Sequence, residues 1–167
     1  MDKNIVLIGF MGSGKSMIAQ QLADILKVEK VSTDELIIKE AGKSIDDIFK
    51  TYGEPYFRNM EARIIKEVSC RRGIIIDCGG GVVLRAESLP NLKHNGIVFF
   101  LHATPETVYD RIKNDKHRPL LNIADPLGFA KQLYNQRLPL YQQADYTIDS
   151  NDESIEGPVA EILKIIK

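Results

Sequence analysis

The sequence predicts an α/β domain in which a parallel sheet is covered by helices on both faces. Two observations favour this class. Five short apolar runs alternate with segments of helical periodicity, and a glycine-rich loop lies between the first run and the first such segment. With 167 residues, the chain has the usual size of one domain. We therefore expect a single domain over residues 1–167.

The first half of the chain contains two strand candidates. The run at 4–9 (NIVLIG) ends in glycine, which is typical of a fully buried strand, and apolar residues at helical spacing follow it as far as Leu26. The second candidate is the short run at 28–31. The helices expected after it are one that ends near the turn at Gly42, a short one at 45–49 and a longer one after Pro55.

The second half of the chain contains the other three strand candidates, at 74–76, 97–101 and 146–148. Helical material follows the first two of them. Thr104 precedes a proline and an acid, a pattern typical of a helix N-terminus. Further helices are expected from about 126 to 141 and at the C-terminal end. The polar, basic stretch at 113–125 is expected to be a mobile loop.

Composition limits the classes of function. A formal net charge of -1 argues against a general nucleic-acid binder, and no segment has the length of a membrane span. Cys70 and Cys78 lack the spacing of a disulfide framework, so we expect both to be small packing residues in a cytoplasmic protein. The three histidines show no ligand spacing and are assigned no chemistry: His94, His102 and His117.

Residues 9–16, GFMGSGKS, match the pattern GxxxxGK[ST] between a predicted strand and a predicted helix. In such a loop, glycines let backbone N–H groups surround phosphates, and the helix N-terminus adds partial positive charge. Lys15 would contact the β- and γ-phosphates, and the Ser16 hydroxyl would ligate Mg²⁺. The alternative is a glycine-rich turn that only connects a strand to a helix. The motif does not name a substrate, because NTPases, switches and small-molecule kinases share it.

Two further residues are candidates for the chemistry. Asp34 follows the second strand, at the sheet edge where open α/β sheets bind ligands, although it could instead be an ordinary helix N-cap. Arg118 lies in the basic loop, where it could reach over the phosphates as part of a lid, or could simply be solvated.

Arginines on two separate helices could bind a carboxylate together. Arg58 and Glu61 are three residues apart and can pair on one helix face, and Arg137 and Tyr141 are four apart on a later helix. A planar guanidinium suits bidentate binding of a carboxylate. Each arginine taken singly is more often a solvated surface residue.

Taken together, these motifs resemble the shikimate kinase family. The family has a P-loop, an acid on the second strand, an FRxxE helix, a GGG turn, an RPLL lid and a late RxxxY helix. The corresponding segments occur here in the same order between Gly9 and Tyr141: GFMGSGKS, STDE, FRNME, DCGGG, RPLL and RLPLY. The resemblance implies a three-layer P-loop kinase fold of the nucleoside monophosphate kinase group. This fold has a five-stranded parallel sheet in the strand order 2-3-1-4-5, flanked by helices. It also has a mobile lid, which would lie at about 113–125.

The resemblance also implies an activity, which is ATP-dependent phosphorylation of the 3-hydroxyl of shikimate in the pathway to chorismate and the aromatic amino acids. It implies Mg²⁺ as cofactor and a cytoplasmic monomer that binds neither nucleic acid nor membrane. Helices within about 33–62 would bind the substrate. The implied catalytic residues are Lys15, Asp34 and Arg118. The implied ATP-binding residues are Gly12, Ser13, Gly14, Lys15, Ser16, Met17, Arg111 and Arg118, with Arg111 against the adenine. The implied shikimate-binding residues are Asp34, Arg58, Gly79, Gly80, Gly81 and Arg137.

The sequence departs from the family at two positions. The family's second-strand motif is usually DxD, but here Ser32 replaces its first acid, which commonly helps to hold the waters of Mg²⁺. The family has a small or hydroxylic residue where this chain has Asp77. Because strands two and three are neighbours in the family's order, we expect a carboxylate swap. Asp77 would take over the outer-sphere Mg²⁺ role that residue 32 has lost, and Ser16 would ligate the metal. The alternative is that Asp77 accepts hydrogen bonds from backbone amides of a neighbouring loop.

Two other functions compete with this one. A related small-molecule kinase, such as one for gluconate, would share the P-loop but would not need two carboxylate-binding arginines beside a GGG turn. A nucleotide-binding regulatory protein without catalysis is supported only by the missing acid at residue 32.

Overall fold

The computed structural model describes residues 2–114 and 123–167. Within them, five parallel strands form one sheet in the order β2-β3-β1-β4-β5, which confirms the predicted strand order. The strands are β1 (Asn4–Ile8), β2 (Lys30–Ser32), β3 (Ile75–Asp77), β4 (Gly96–His102) and β5 (Tyr146–Asp149).

Helices connect the strands and cover both faces of the sheet. In the described residues they are α1 (Lys15–Leu26), α2 (Thr33–Ala41), α3 (Ile45–Tyr52), α4 (Glu54–Ser69), α5 (Ser88–Asn95), α6 (Pro105–Ile112), α7 (Pro126–Tyr141) and α8 (Glu156–Ile166). A 3₁₀ turn (Val82–Leu84) lies between β3 and α5. None of these helices is long and apolar enough to cross a membrane.

The side chains of β1 alternate between two apolar cores. Val6 and Ile8 pack in the larger core, which lies against the face covered by α2 to α7. Ile5 and Leu7 pack in the other core, against α1 and α8. This alternation arises because successive side chains of a strand point to opposite faces. A strand buried on both faces reads as a continuous apolar run, which is why β1 was predictable from sequence.

The second strand begins at Lys30, two residues later than predicted. Helix α1 ends at Leu26, and Lys27 adopts the left-handed conformation with φ 56°. The Val28 N–H then donates to the carbonyl of Ala23 at 3.2 Å. Val28 therefore belongs to the end of the helix, and its apolar side chain packs against the core without joining the sheet.

Candidate active site

The glycine-rich loop joins β1 to α1 at the carboxyl edge of the sheet. Gly12 and Gly14 have φ values of 71° and 93°, in the left-handed region that residues with a side chain adopt rarely. Helix α1 begins immediately after Gly14, at Lys15. Its first N–H groups have no intrahelical acceptors and suit an anion.

Lys15 lies against this loop with its side chain mostly buried. Its ammonium donates to the carbonyls of Gly9 at 2.9 Å and Phe10 at 3.0 Å, and to the Ser13 hydroxyl at 3.4 Å. These contacts hold the positive charge close to the loop backbone. The side chain is therefore near the phosphates of any nucleotide that the loop binds.

A cleft of about 970 Å³ opens over the loop and the adjoining sheet edge. Gly12, Ser16, Met17 and Arg111, all predicted to bind ATP, line it. So do Asp34 and Asp77 from the neighbouring strand ends, and Gly79 and Gly80 from the glycine turn. The structure thus brings most of the predicted nucleotide-binding residues and three of the six predicted substrate-binding residues to one cavity. Arg58, Gly81 and Arg137 are not part of its lining.

One wall of the cleft was not predicted. The segment 150–155 after β5 contributes five of its residues to the lining: Ser150, Asn151, Asp152, Glu153 and Ile155. The Ser150 hydroxyl donates to the carbonyl of Ser13 at 2.6 Å, which ties this segment to the phosphate loop.

Arg111 on α6 joins that wall to the loop. Its guanidinium donates to the carbonyls of Ser150 at 2.6 Å, Asp152 at 2.7 Å and Gly12 at 3.2 Å. The side chain therefore braces two sides of the cleft. Its predicted contact with adenine stays a prediction.

Asp34 is not the N-cap of α2, so the N-cap alternative is wrong. Ser32 occupies that position, and its hydroxyl accepts from the Glu35 N–H at 3.3 Å. Asp34 instead lies in the first helical turn with its carboxylate over the glycine turn. A methyl group added at Gly79 would lie 2.6 Å from Asp34 Oδ1. Burial raises the pKa of Asp34, while the nearby charge of Lys15 opposes the rise.

The glycine turn at 79–81 lies among the charged groups of the site. A methyl group added at Gly81 would overlap the guanidinium of Arg58, and one at Gly80 would lie 3.7 Å from Arg137 Nη1. Both arginines are 9% exposed, so neither is the solvated surface residue of the alternative reading. The two helices thus bring two guanidinium groups to the same short turn, as predicted.

Protein groups already use some of the polar atoms of this turn. The Gly79 N–H donates to the Thr33 hydroxyl at 3.1 Å, and the Tyr141 hydroxyl donates to the carbonyl of Gly80. The Gly79 amide is therefore engaged by the protein. What Gly79 adds to the cleft is the space left by a missing side chain.

Glu61 pairs with Arg58, as predicted, and its side chain is buried. Arg58 Nη1 donates to Glu61 Oε1 at 2.8 Å. The other carboxylate oxygen, Oε2, is buried without a hydrogen-bond partner among the described residues. A methyl group at Gly79 would lie 3.2 Å from it, so this oxygen points toward the same space as Asp34. Burial raises the pKa of Glu61, and Arg58 opposes the rise.

Replacing Glu61 with glutamine tests this burial through the pH dependence of stability. The pKa of Glu61 in the folded protein lies above its ordinary value of 4.5, so the folded state holds this proton more tightly than the unfolded state does. The contribution of Glu61 to stability is therefore present below pH 4.5 and is lost as the pH rises through the folded-state pKa. The free energy of unfolding of the parent protein minus that of Glu61→Gln is expected to fall across this range.

Urea unfolding at a series of pH values measures this difference. Glu67→Gln is the matched control, because Glu67 is an exposed glutamate on the same helix and pairs with Arg63. A difference that grows with pH would contradict the prediction, and would mean that the pairing with Arg58 outweighs the cost of burial.

Asp77 ends β3 at the same edge of the sheet and is buried. Its Oδ2 accepts a hydrogen bond from the Ser16 hydroxyl at 2.6 Å. In the sheet, Asp77 is paired in register with Ser32 on the neighbouring strand. The expected closeness of residues 32 and 77 is thus confirmed. The side-chain contact of Asp77 is with the phosphate loop, where the alternative reading expected backbone amides.

The two cysteines differ. Cys78 is buried in the larger core, as predicted, and burial raises the pKa of its thiol well above the ordinary value. Cys70 is exposed at the end of α4, so its prediction as a packing residue was wrong. Helix α4 buries one side, and Cys70 follows its last turn on the solvent side.

Arg118 lies outside the described residues, as does most of the predicted lid.

Comparisons with known proteins match the same family over nearly the whole chain. The family model described as shikimate kinase matches residues 11–167. A shikimate kinase from Caldicellulosiruptor bescii is 42% identical over 163 residues, which are 98% of this chain and 95% of that protein. The shikimate kinase from Pasteurella multocida is also 42% identical, over 98% of this chain and 95% of its own length.

Solved structures agree with the sequence comparison. Shikimate kinase from Acinetobacter baumannii in complex with shikimate superposes with a TM-score of 0.93 at 34% identity, covering 99% of this chain and 93% of the other. Shikimate kinase from Aquifex aeolicus gives a TM-score of 0.85 at 35% identity, over 98% and 95% of the two chains. Both the sequence and the fold match along almost the full length. The chain therefore belongs to the shikimate kinase family.

Proposed function

We propose that this protein transfers the γ-phosphoryl group of ATP to the 3-hydroxyl of shikimate, giving shikimate 3-phosphate and ADP. This reaction is a step toward chorismate and the aromatic amino acids. One observation carries the proposal beyond a generic P-loop kinase. Two buried arginines, Arg58 and Arg137, and the partly buried carboxylate of Asp34 lie around the glycine turn at 79–81, beside the phosphate loop. A small acid with several hydroxyl groups fits this arrangement.

ATP is proposed to bind in the cleft with its phosphates on the loop. The backbone of the loop and the first turn of α1 would donate to the phosphate oxygens. Lys15 would place its charge on the β- and γ-phosphates. The residues proposed to contact ATP are Gly12, Ser13, Gly14, Lys15, Ser16, Met17, Arg111 and Arg118.

Shikimate is proposed to bind between the glycine turn and the two arginines. The carboxylate would lie between Arg58 and Arg137, because a guanidinium can bind a carboxylate through two parallel hydrogen bonds. The ring would approach the backbone at Gly79, Gly80 and Gly81, where no side chain obstructs it. Its hydroxyls would then face Asp34.

Asp34 is the proposed acceptor of the proton from the attacking hydroxyl. Burial raises its pKa, which makes the carboxylate a stronger base and so favours proton transfer to it. Positioning of the two substrates and neutralisation of charge by Lys15 and Arg118 would account for most of the catalysis, as in other phosphoryl transfers.

Mg²⁺ fits the oxygen donors at the edge of the phosphate loop. The Ser16 hydroxyl, as a direct ligand, and the Asp77 carboxylate, as an acceptor for the metal's water molecules, would offer hard oxygen atoms, and the two groups lie side by side in the cleft. The described residues contain no cluster of three or more acidic, histidine or cysteine side chains that could hold a metal ion alone. This suits Mg²⁺, which usually keeps several waters and binds through one or two carboxylates plus substrate phosphates. When bound with ATP, it would neutralise charge on the β- and γ-phosphates.

A coupled assay of ADP release tests the proposal against both alternatives. With ATP and Mg²⁺ present, shikimate is expected to give sustained ADP release and gluconate is expected to give none above background. Turnover of gluconate alone would favour the related small-molecule kinase. ATP binding without turnover of either compound would favour the regulatory protein.

We also propose the location, oligomeric state and partners of the protein. We expect residues 1–167 to act as one domain and as a cytoplasmic monomer, without nucleic acid or membrane as partner. The formal net charge of -1 supports the absence of a nucleic-acid partner.

A further inference from the structure

Ser16 and Asp77 form a hydroxyl–carboxylate pair at the start of α1. Ser16 is the last residue of the phosphate-loop motif, and Asp77 ends a strand whose preceding residues are apolar and buried. The Ser16 hydroxyl donates to Asp77 Oδ2 at 2.6 Å, and both residues line the cleft. In P-loop NTPases, a loop hydroxyl and an acid that follows an apolar strand hold Mg²⁺.

The neighbouring strand offers no carboxylate at this point. Ser32 is the register partner of Asp77, and its hydroxyl accepts from the Glu35 N–H as the N-cap of α2. Position 32 thus serves the helix, with a neutral side chain. The carboxylate next to Ser16 comes from β3.

We propose that Asp77 is the carboxylate of the Mg²⁺ site, and that it takes the place of an acid at position 32 on the neighbouring strand. This inference rests on the proposed function only for the identity of the nucleotide. Asp77 would accept hydrogen bonds from the metal's water molecules. It would also orient the hydroxyl of Ser16, which donates to it. The negative charge at the Mg²⁺ site would therefore come from β3 and no longer from β2.

A different role for Asp77 is purely structural, in which it anchors Ser16 and supports the loop. The two roles differ in one measurable respect. Loss of a loop anchor would weaken nucleotide binding equally with and without metal. Loss of a metal partner would weaken only the part of nucleotide binding that depends on Mg²⁺.

Asp77→Asn separates these roles, because asparagine has the same shape and can still accept from the Ser16 hydroxyl. Calorimetric titration of ADP with EDTA, and then at a series of Mg²⁺ concentrations, gives the apparent Mg²⁺ affinity of the complex. We expect this affinity to fall by about 10–100-fold, the usual cost of removing a group that supports a metal site. ADP affinity in EDTA is expected to be kept or tightened, since a negative charge near the phosphates is removed.

A second substitution tests whether the two positions are interchangeable. Ser32→Asp in the Asp77→Asn background should recover much of the Mg²⁺ affinity, and aspartate still caps α2. Ser32→Asn in the same background is the matched control, because asparagine also caps the helix but carries no charge. We expect recovery with aspartate and none with asparagine.

Three results would overturn the proposal. They are an unchanged Mg²⁺ dependence in Asp77→Asn, an equal loss of ADP affinity with and without metal, and equal recovery with aspartate and asparagine at position 32. If Asp77→Asn does not fold, Asp77→Ser removes the same charge with a smaller side chain and carries the same titration. No shikimate is used in this titration. The Mg²⁺ dependence of ADP binding can therefore be interpreted even if the proposed kinase activity is wrong.

Discussion

Replacing Asp34 with asparagine is expected to lower kcat for shikimate by about 10²–10⁴-fold, the usual contribution of a general base. The substitution keeps the shape of the side chain and removes its ability to take a proton. The carboxylate lies over Gly79, beside the proposed position of the attacking hydroxyl. Because asparagine can still accept or donate a hydrogen bond there, the KM for shikimate should change much less than kcat.

Steady-state kinetics with both substrates varied measure this effect. Asp46→Asn is the control, since Asp46 is an exposed acid in the first turn of α3. A kcat within a few-fold of the parent would contradict the proton-acceptor role, and would mean that positioning alone carries the reaction.

The second large effect is expected at Arg137. Arg137→Lys keeps the charge but removes the planar fork that binds a carboxylate through two hydrogen bonds. Arg137 is buried beside Gly80, and its Nε has no hydrogen-bond partner in the part of the chain that the structure describes. The KM for shikimate is expected to rise by about 10–100-fold, the cost of losing one strong hydrogen bond to a charged group.

The KM for ATP separates a local effect from a general one. It is expected to stay at the parent value, because Arg137 approaches the glycine turn at 79–81 and is not among the residues that line the cleft over the phosphate loop. Arg63→Lys is the matched control, since Arg63 is an arginine exposed on α4. Equal rises in both KM values would indicate a disturbed fold and would contradict carboxylate binding at this position.

Most of the site could be predicted because it lies on motifs at fixed places in the fold. The phosphate loop follows a strand that is apolar from Ile5 to Ile8 and precedes a helix, so the motif and its strand–helix context agree. The arginine on α4 could be placed because its spacing from Glu61 predicts one helix face, and the structure has that pair at 2.8 Å.

Contacts between distant parts of the chain could not be predicted. The cleft wall at 150–155 is held by hydrogen bonds from Arg111 to two of its backbone carbonyls and by one from its Ser150 hydroxyl to the carbonyl of Ser13. Backbone contacts of this kind leave no pattern in the sequence. The N-cap of α2 was open for a similar reason. Ser32 and Asp34 are both good capping residues, and only the start of the helix at Thr33 decides between them.

The pair formed by Ser16 and Asp77 lies between these two cases. The register of β2 against β3 places residues 32 and 77 side by side, and this followed from the expected strand order. The hydrogen bond from Ser16 depends on how close α1 starts to the end of β3, a distance that strand order does not give.

The position of the phosphoryl group on the product decides most directly whether the protein is a shikimate 3-kinase. Incubation of the protein with ATP, Mg²⁺ and shikimate, followed by phosphorus and proton NMR of the product, locates the new phosphoryl group. We expect one phosphate ester per shikimate consumed, with phosphorus coupling to the proton on carbon 3. Bound ATP that yields no shikimate ester, or an ester at another hydroxyl, would contradict it.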